Sequence, residues 1–335
     1  MAVRALPAGS GIWGSAAGLI LAAGLVLVLA AASIFIGVAD MSVGALMEGG
    51  ENGRALQLLF VSRIPRTLAI VLSGMSMGVA AIIMQMLFRN RFVEPTTTGT
   101  VEAASLGLLA TALLAPALPI FSKMLVAALF ALAATFLFLR FVAKIPSSAS
   151  LIVPLLGLMF GGVINAVTTF LAYRYDLLQS LAAWTNGDFS SVLRGRYELL
   201  WIAGLLAALS YLAADRFTVA GLGEAFTRNL GLNYGRILAF GLCIVSLVAA
   251  AAVVTAGAVP FFGLIVANVV RMMVGDNLRR ALPWVALSGA AFLLACDIAG
   301  RTLRFPYEIP VGTVVGVLGS AIFLYLLLRR RARFG

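Results

Sequence analysis

Ten apolar stretches, most of them long enough to cross a lipid bilayer as a helix, constrain this chain more than any other feature. A bilayer core about 30 Å thick needs about 20 apolar residues in helical form. The stretches lie at residues 12–38, 67–88, 99–114, 121–142, 151–172, 197–214, 237–256, 259–273, 282–299 and 310–328. Because 62% of the 335 residues are apolar and 11% are charged, the sequence predicts an all-α polytopic membrane protein. Its single transmembrane domain covers residues 1–335 and has about ten transmembrane helices.

The basic residues indicate how these spans are oriented. The net charge is +11, and the basic residues lie at the ends of apolar runs, which is typical of the positive-inside rule rather than of nucleic-acid binding. Ten spans place both termini on one side, and that side carries fifteen of the 24 basic residues but four of the 13 acidic ones. We therefore expect both termini in the cytoplasm. The first run is longer than a signal-peptide core and shows no small-residue cleavage site, so we interpret it as a retained span.

Several kinds of chemistry lack the residues they require. The chain has no histidine, and Cys243 and Cys296 are isolated within apolar runs, which excludes imidazole zinc sites, Ser-His-Asp catalysis and a disulfide framework. No lysine follows a glycine, so the phosphate-binding loop of ATPases is absent from the sequence. The sequence predicts that this chain is not an enzyme and binds no metal or cofactor itself.

A polar island at residues 215–236 interrupts the apolar runs and has helical order of its own. Leu222, Ala225, Phe226 and Leu230 recur at a spacing that places them on one helix face. Gly231 follows where a helix would end in a left-handed cap. The pattern leaves two interpretations open: a short helix that docks against another protein, or one that lies on lipid headgroups.

Short motifs in a fixed order lead to a family resemblance. They are Arg-Ile-Pro-Arg at 63–66, Met-Gln at 84–85, Trp-Thr-Asn-Gly at 184–187, Leu-Gly-Glu-Ala at 222–225, the 256–265 stretch and Ile-Pro-Val-Gly at 309–312. Together they resemble the permease subunits of ABC importers for iron-siderophores, haem and cobalamin. The resemblance runs from about residue 62 to the C-terminus.

The resemblance implies an assembly of several subunits. Two permeases of ten helices each would surround a central path, two ATPase subunits carrying ATP and Mg would dock in the cytoplasm, and a solute-binding protein would dock outside. The second permease is either another copy of this chain or a similar chain, and the nearest subgroup favours two different chains. The island then becomes the coupling helix that contacts an ATPase. Its predicted contact residues are Leu222, Gly223, Glu224, Ala225, Phe226, Leu230 and Gly231.

On the outer side, the resemblance implies that Arg63, Arg66 and Arg301 receive glutamates of the binding protein. Arginine suits this role because its planar fork binds a carboxylate through two hydrogen bonds. The alternative is that these arginines extend to lipid headgroups or pair with Glu308 or Asp297.

Polar residues within or between spans are candidates for the translocation path. They are Ser147, Ser148 and Ser150 in a gate loop, with Asn165, Thr168, Asn268 and Glu102 in the spans. Ordinary hydrogen bonding between helices explains Asn165 and Thr168 equally well. For Glu102 we prefer a carboxyl group that bridges its helix to a neighbour, and a proton-coupled step is the alternative.

The sequence thus predicts a permease of the bacterial inner membrane that moves a ferric siderophore. Asn268 with the 276–280 stretch, and the 100–104 stretch, resemble the subgroup for ferric catecholate or mixed catecholate–carboxylate siderophores. Three departures stand out: Ala267-Asn268 replaces a frequent Pro-His, Asn90-Arg91 replaces Asn-Pro, and Glu102 replaces Ser or Asn. The alternatives are an ABC permease for haem or another metal chelate, and a secondary transporter that uses Glu102 and Asp297 as ion carriers.

Overall fold

A computed structural model describes residues 15–36, 56–145 and 152–331. The predicted gate serines, Ser147, Ser148 and Ser150, lie outside the described residues. The helices are α1 Ala16–Phe35, α2 Leu56–Leu87, α3 Thr100–Leu114, α4 Ile120–Val142, α5 Ile152–Arg174, α6 Leu178–Thr185, α7 Leu199–Leu212, α8 Ala214–Ala220, α9 Glu224–Asn229, α10 Tyr234–Thr255, α11 Phe262–Val274, α12 Leu278–Thr302 and α13 Val311–Arg331.

Ten of these helices coincide with the ten predicted spans, and the predicted all-α membrane fold is confirmed. Six of the described helices have the length and apolar composition to cross a bilayer, and α7 with α8 meets the same criteria only as a pair, with a 70° bend between the two helices. Helices α3 and α11 are shorter apolar helices of 15 and 13 residues, and α13 has 21 residues. The helices α3 and α11 are short because each follows a stretch of buried, non-helical chain.

Local signals at the helix starts agree with the sequence. Asn233 and Asn277 cap α10 and α12, since their side chains accept hydrogen bonds from the backbone N–H groups of Arg236 and Arg280. The predicted start of the second span at residue 67 was wrong, because α2 begins at Leu56. Pro65 has no N–H to donate, and the turn before it, Leu59–Arg63, is π-helical.

Helix α2 forms the centre of the molecule. Among the 18 consecutive residues that form the most apolar part of each helix, 83% are buried in α2, against 17% in α1 and 22% in α5. It crosses α12 at Gly74 and Gly289, where a Cβ atom on Gly74 would lie 2.6 Å from the Gly289 carbonyl oxygen. Two backbones approach this closely only when neither residue carries a side chain. The prediction that the glycines of this span serve helix packing is consistent with this contact.

Three of the sequence motifs meet at one place in the fold. The predicted loop at 173–196 contains the short helix Leu178–Thr185, which is α6 and which the sequence did not predict. The Trp-Thr-Asn-Gly motif at 184–187 covers the end of α6 and the two residues after it. The Trp184 carbonyl accepts from the N–H of Ala258 at 3.1 Å, and the Gly187 carbonyl accepts from the N–H of Gly312 at 2.9 Å. Gly187 has a φ of 59°, which a glycine adopts without strain. Three motifs that are distant in the sequence thus form a tertiary junction between α6, α11 and α13.

A chain of buried hydroxyl groups joins α3 to α4. Thr100 contacts Thr98 at 2.9 Å and Thr135 at 2.7 Å between hydroxyl oxygens. Replacing Thr135 with valine keeps the shape and removes one link, so we expect the free energy of unfolding to fall by about 1 kcal/mol. Thermal unfolding in detergent measures the change. The matched control is Thr302→Val at an exposed site, where the hydroxyl bonds only to its own helix; equal losses in the two variants would contradict the prediction.

Candidate functional site

The polar island folds as two short helices with a tight turn between them. Helix α8 ends at Ala220 and α9 begins at Glu224, with Gly223 between them at a φ of 115°. The prediction of one continuous helix face was therefore wrong, because Leu222 lies in the turn and Leu230 follows the end of α9. Gly231 has a φ of 75° directly after the helix, as the sequence predicted.

The apolar side chains of the island point away from the protein. Leu222, Phe226 and Leu230 are 58%, 48% and 55% exposed, and Ala225 is exposed beside them. The opposite side of α9 is held inward by Thr227, whose buried hydroxyl donates to the Gly223 carbonyl at 2.7 Å. These exposed apolar groups therefore contribute nothing to the core of this chain.

Contacts beneath the island fix it to the membrane helices. Phe217 of α8 stacks on Phe240 of α10 with ring centroids 6.1 Å apart. Asp215 accepts a hydrogen bond from Arg279 of α12 at 2.6 Å. On the exposed side of α9, Glu224 and Arg228 form an ion pair one turn apart. The island is thus a rigid support for an exposed apolar surface.

At the opposite end of the molecule, a buried carboxylate joins two arginines. Asp297 of α12 accepts hydrogen bonds from Arg66 of α2 at 2.7 Å and from Arg301 of its own helix. Arg66 also pairs with Glu308 at 2.7 Å. The side chain of Asp297 is fully buried, and that of Arg301 is 2% exposed. Charges this deeply buried need such partners, because an isolated ion loses its hydration.

The first helix completes this network. Arg301 donates to the Ser33 hydroxyl at 2.6 Å and to the Ile36 carbonyl at 2.6 Å, and Arg63 donates to the same carbonyl at 2.7 Å. The sequence predicted Arg63 and Arg301 as docking residues and gave pairing with Asp297 as the alternative for Arg301. It did not predict Ser33, although a serine within the apolar first run was a usable signal.

The structure brings the three predicted docking arginines together but buries two of them. Arg63 is half-buried, whereas Arg66 and Arg301 are buried and form ion pairs with a carboxylate of this chain. Asp297 lies between two cations, which is the arrangement of a structural ion pair and not of a carboxylate that loads and releases an ion. This argues against the secondary-transporter alternative for that residue.

Among the predicted path residues that the structure describes, no hydrogen bond joins one to another. Thr168 donates to the Ile164 carbonyl of its own helix at 2.7 Å, and Asn165 is exposed on α5. Asn268 donates to the carbonyls of Arg91 and Leu264, both at 2.8 Å. It therefore joins α11 to the chain after α2.

Glu102 lies between α3 and α5, where the sequence placed a bridging carboxyl group. A Cβ atom on Gly161 of α5 would lie 3.3 Å from the Glu102 carboxyl carbon. Within the described part of the chain, its Oε2 atom is buried and has no hydrogen-bond partner. The position fits a bridge to α5, and its role remains a prediction.

A second charged cluster lies at the C-terminal end of α11. Asp276 accepts from Arg271 at 2.7 Å and from Arg91 at 2.9 Å, and Arg271 also donates to Gln85 at 3.1 Å. Burial alone would raise the pKa of the Asp276 carboxyl, but the hydrogen bond and charge of Arg271, with the charge of Arg91, bring that pKa below its ordinary value. The cluster therefore keeps its charges at neutral pH and weakens only when the pH falls through that lowered pKa.

Comparisons with known proteins are consistent with this geometry. A family model described as the FecCD transport family matches residues 25–329. The petrobactin import system permease protein YclN of Bacillus subtilis is 47% identical over 92% of this chain and 97% of its own length. The ferric-anguibactin transport system permease protein FatD of Vibrio anguillarum is 40% identical over 90% and 95%. The vitamin B12 import system permease protein BtuC of Klebsiella pneumoniae is 34% identical over 81% and 82%.

The fold also matches a solved structure. A metal-chelate type ABC transporter in an inward-facing conformation superposes with a TM-score of 0.78, covering 93% of this chain and 98% of that one at 23% identity. At this identity the match concerns the fold alone.

Proposed function

The chain belongs to the FecCD transport family, and from that premise we propose that it is the permease subunit of an ATP-driven importer for a ferric siderophore. The observation that supports a ferric siderophore as the cargo is the difference in sequence identity between relatives. Two siderophore permeases are 47% and 40% identical to this chain over at least nine tenths of it, whereas a vitamin B12 permease is 34% identical over 81%. This chain is a transporter subunit and not an enzyme.

The exposed apolar surface of the island supports a cytoplasmic ATPase as partner. Leu222, Phe226 and Leu230 form a surface that no other described part of the chain covers. The distribution of basic residues supports a cytoplasmic location for this side. ATP and Mg belong to the ATPase, and closure of two ATPase subunits would move the island as a rigid body. The lipid-surface alternative explains the apolar residues less well, because α9 has only six residues.

The arginine network supports docking of a binding protein on the outer side. Arg63 is available at the surface, whereas a carboxylate from a partner must displace Glu308 to reach Arg66. Arg301 is inside the network and positions the others. We therefore assign direct contact to Arg63 and Arg66, and an indirect role to Arg301.

Reversing one of these charges tests the docking surface. We expect Arg63→Glu to weaken binding of the solute-binding protein about tenfold, since it places like charges opposite each other. Surface plasmon resonance with the detergent-solubilised complex measures the dissociation constant. Arg236→Glu, on the cytoplasmic side, is the matched control. Unchanged docking in the Arg63 variant would remove this surface from the proposal.

A second permease and the membrane complete the proposed assembly. Helix α5 exposes Leu155, Met159, Val163 and Phe170, a surface that suits a neighbouring permease, either a similar chain or a second copy. The proposed location is the inner (cytoplasmic) membrane of a bacterium, with both termini inside.

Uptake measurements test the proposed function as a whole. A deletion strain is offered radio-iron-loaded catecholate, hydroxamate and carboxylate siderophores in turn. We expect loss of catecholate-type uptake and its restoration by the intact gene. Transport in inverted or right-side-out vesicles should require ATP, and an ion gradient alone should not support it. Uptake that persists without ATP would favour an ion-driven transporter, and retained uptake of every iron chelate would indicate haem or another metal complex.

A further inference from the structure

The chain between α2 and α3, residues 88–99, is buried although it is not a transmembrane helix. Seven of its twelve residues are buried: Asn90, and every residue from Val93 to Gly99 except Thr96. We call this stretch segment 88–99. It contacts three elements that otherwise lie apart in the sequence: the island, α11 and α5.

The first contact of this region is with the island. The Arg89 guanidinium lies against the turn between α8 and α9, where a Cβ atom on Gly223 would be 3.4 Å from Arg89 Nη1. Just before the segment, the sulfur of Met86 would be 3.3 Å from a Cβ atom on Gly221. The end of α2 and the start of segment 88–99 therefore support the turn that presents the apolar surface of the island.

The second contact is with α11 and involves a buried carboxylate. Glu94 is 1% exposed, accepts a hydrogen bond from the Leu264 N–H at 2.9 Å, and accepts another from the Thr96 hydroxyl at 2.6 Å. Gly263 permits this approach, because a Cβ atom there would lie 2.7 Å from Glu94 Oε2. The carboxylate thus serves as the N-terminal cap of α11 from a distant part of the chain.

Further bonds hold the segment along the length of α11. Asn268 donates to the Arg91 carbonyl, and Asp276, just after α11, pairs with Arg91. Bonds at the start, middle and end of the helix leave little freedom for sliding or rotation. Segment 88–99 and α11 therefore behave as one body.

The third contact is with α5, through backbone atoms. The Thr97 carbonyl lies directly against Gly157 of α5, leaving no room for a side chain there. A Cβ atom on Gly99 would lie 2.8 Å from the ring of Phe160 and 3.3 Å from the Cα atom of Gly161. The contacts of Thr97 with Gly157 and of Gly99 with Gly161 lie between backbone atoms, and they transmit displacement with little loss because they contain no flexible side chain to absorb it.

We propose that segment 88–99 relays movement of the island to α11 and α5, with Glu94 as the positioning residue that makes the segment and α11 move together. The proposal rests on the proposed function, since it assigns the route by which ATPase closure reaches the helices. Glutamine at position 94 keeps the shape of glutamate but replaces one acceptor oxygen with a donor group. It therefore leaves a backbone or hydroxyl donor without its acceptor.

The test compares transport with ATP hydrolysis in the complete importer, reconstituted with its ATPases and binding protein in lipid vesicles. The probe is radio-iron-loaded petrobactin. For Glu94→Gln we expect transport per ATP hydrolysed to fall about tenfold while ATP hydrolysis continues. Glu198→Gln, in the loop before α7, is the matched control and should keep the native ratio. If Glu94→Gln keeps the native ratio of transport to ATP hydrolysis, the relay is overturned. This includes the case in which transport and hydrolysis fall by the same factor.

A second measurement does not depend on the cargo. Spin labels on Asn229 of α9 and on Leu158 of α5, both exposed and Leu158 outside the surface assigned to the second permease, report the distance between the island and α5. In the native complex we expect a narrow distance distribution both with and without ATP, and in Glu94→Gln a broad one. Narrow distributions in both proteins would overturn the relay. If native vesicles transport neither petrobactin nor any other ferric siderophore but the distributions differ as expected, the cargo proposal fails and the relay stands.

Discussion

Replacing Asp297 with asparagine is expected to lower the free energy of unfolding by about 3–5 kcal/mol. The substitution removes the negative charge that lies between Arg66 and Arg301, and Asp297 itself is fully buried. Arg66 retains Glu308, and Arg301 retains the carbonyl of Ser33. The loss therefore comes mainly from a buried positive charge that has lost its counter-ion.

Thermal unfolding of the purified protein in detergent measures this effect. Asp176→Asn is the matched control, because Asp176 is exposed and has a φ of 56°, which asparagine also adopts readily. A triple variant with Asp297→Leu, Arg66→Met and Arg301→Met should recover most of the loss, since a neutral apolar set needs no counter-ion. A triple variant less stable than Asp297→Asn would show that the charges themselves stabilise the fold.

Replacing Phe226 with aspartate is expected to abolish transport while the permease still folds. Phe226 is 48% exposed and lies on the surface proposed to contact the ATPase. Central aromatic residues of an interface commonly account for at least 2 kcal/mol, which corresponds to about 30-fold weaker binding. A charge at this position adds a desolvation cost. The ATPase should therefore no longer copurify with the permease, and ATP-dependent uptake should be lost.

The conservative variant Phe226→Leu serves as the control, because leucine keeps an apolar side chain at the same place. We expect it to retain most of the ATPase binding. The midpoint of thermal unfolding should be unchanged in both variants, since Phe226 is not part of the core. Normal ATPase copurification with Phe226→Asp would show that the island serves another surface, such as the lipid headgroups.

The positions of the spans were predictable because the bilayer sets the length of an apolar run. Helix α4 illustrates this: it was predicted at 121–142 and is found at Ile120–Val142, between a proline and a basic residue. Helix α6 was not predicted, because its eight residues lie within a polar loop and have no membrane-length signal. The start of α2 was misplaced because polar residues before Pro65 suggested a loop.

The site was predictable to the extent that its residues are neighbours in sequence. The apolar residues of the island lie within nine positions of one another, and their exposure was expected from the island's polar surroundings. The roles of Arg301 and Glu94 depend on partners far away in the chain: Glu94 bonds to Leu264 across 170 positions. A single sequence contains no signal for the pair of Glu94 and Leu264, so the burial of Glu94 emerged only from the fold.

The bond between Arg66 and Asp297 has a consequence for how the protein is made. These residues are 231 positions apart, and a ribosome that adds about 5–20 residues per second needs on the order of 10–50 s to synthesise that length. During this time the central helix is already in the bilayer with an arginine whose buried counter-ion does not yet exist. Arg66 of α2 therefore acquires its buried counter-ion only once α12 has been synthesised, so this ion pair forms late, when most of the chain has been made.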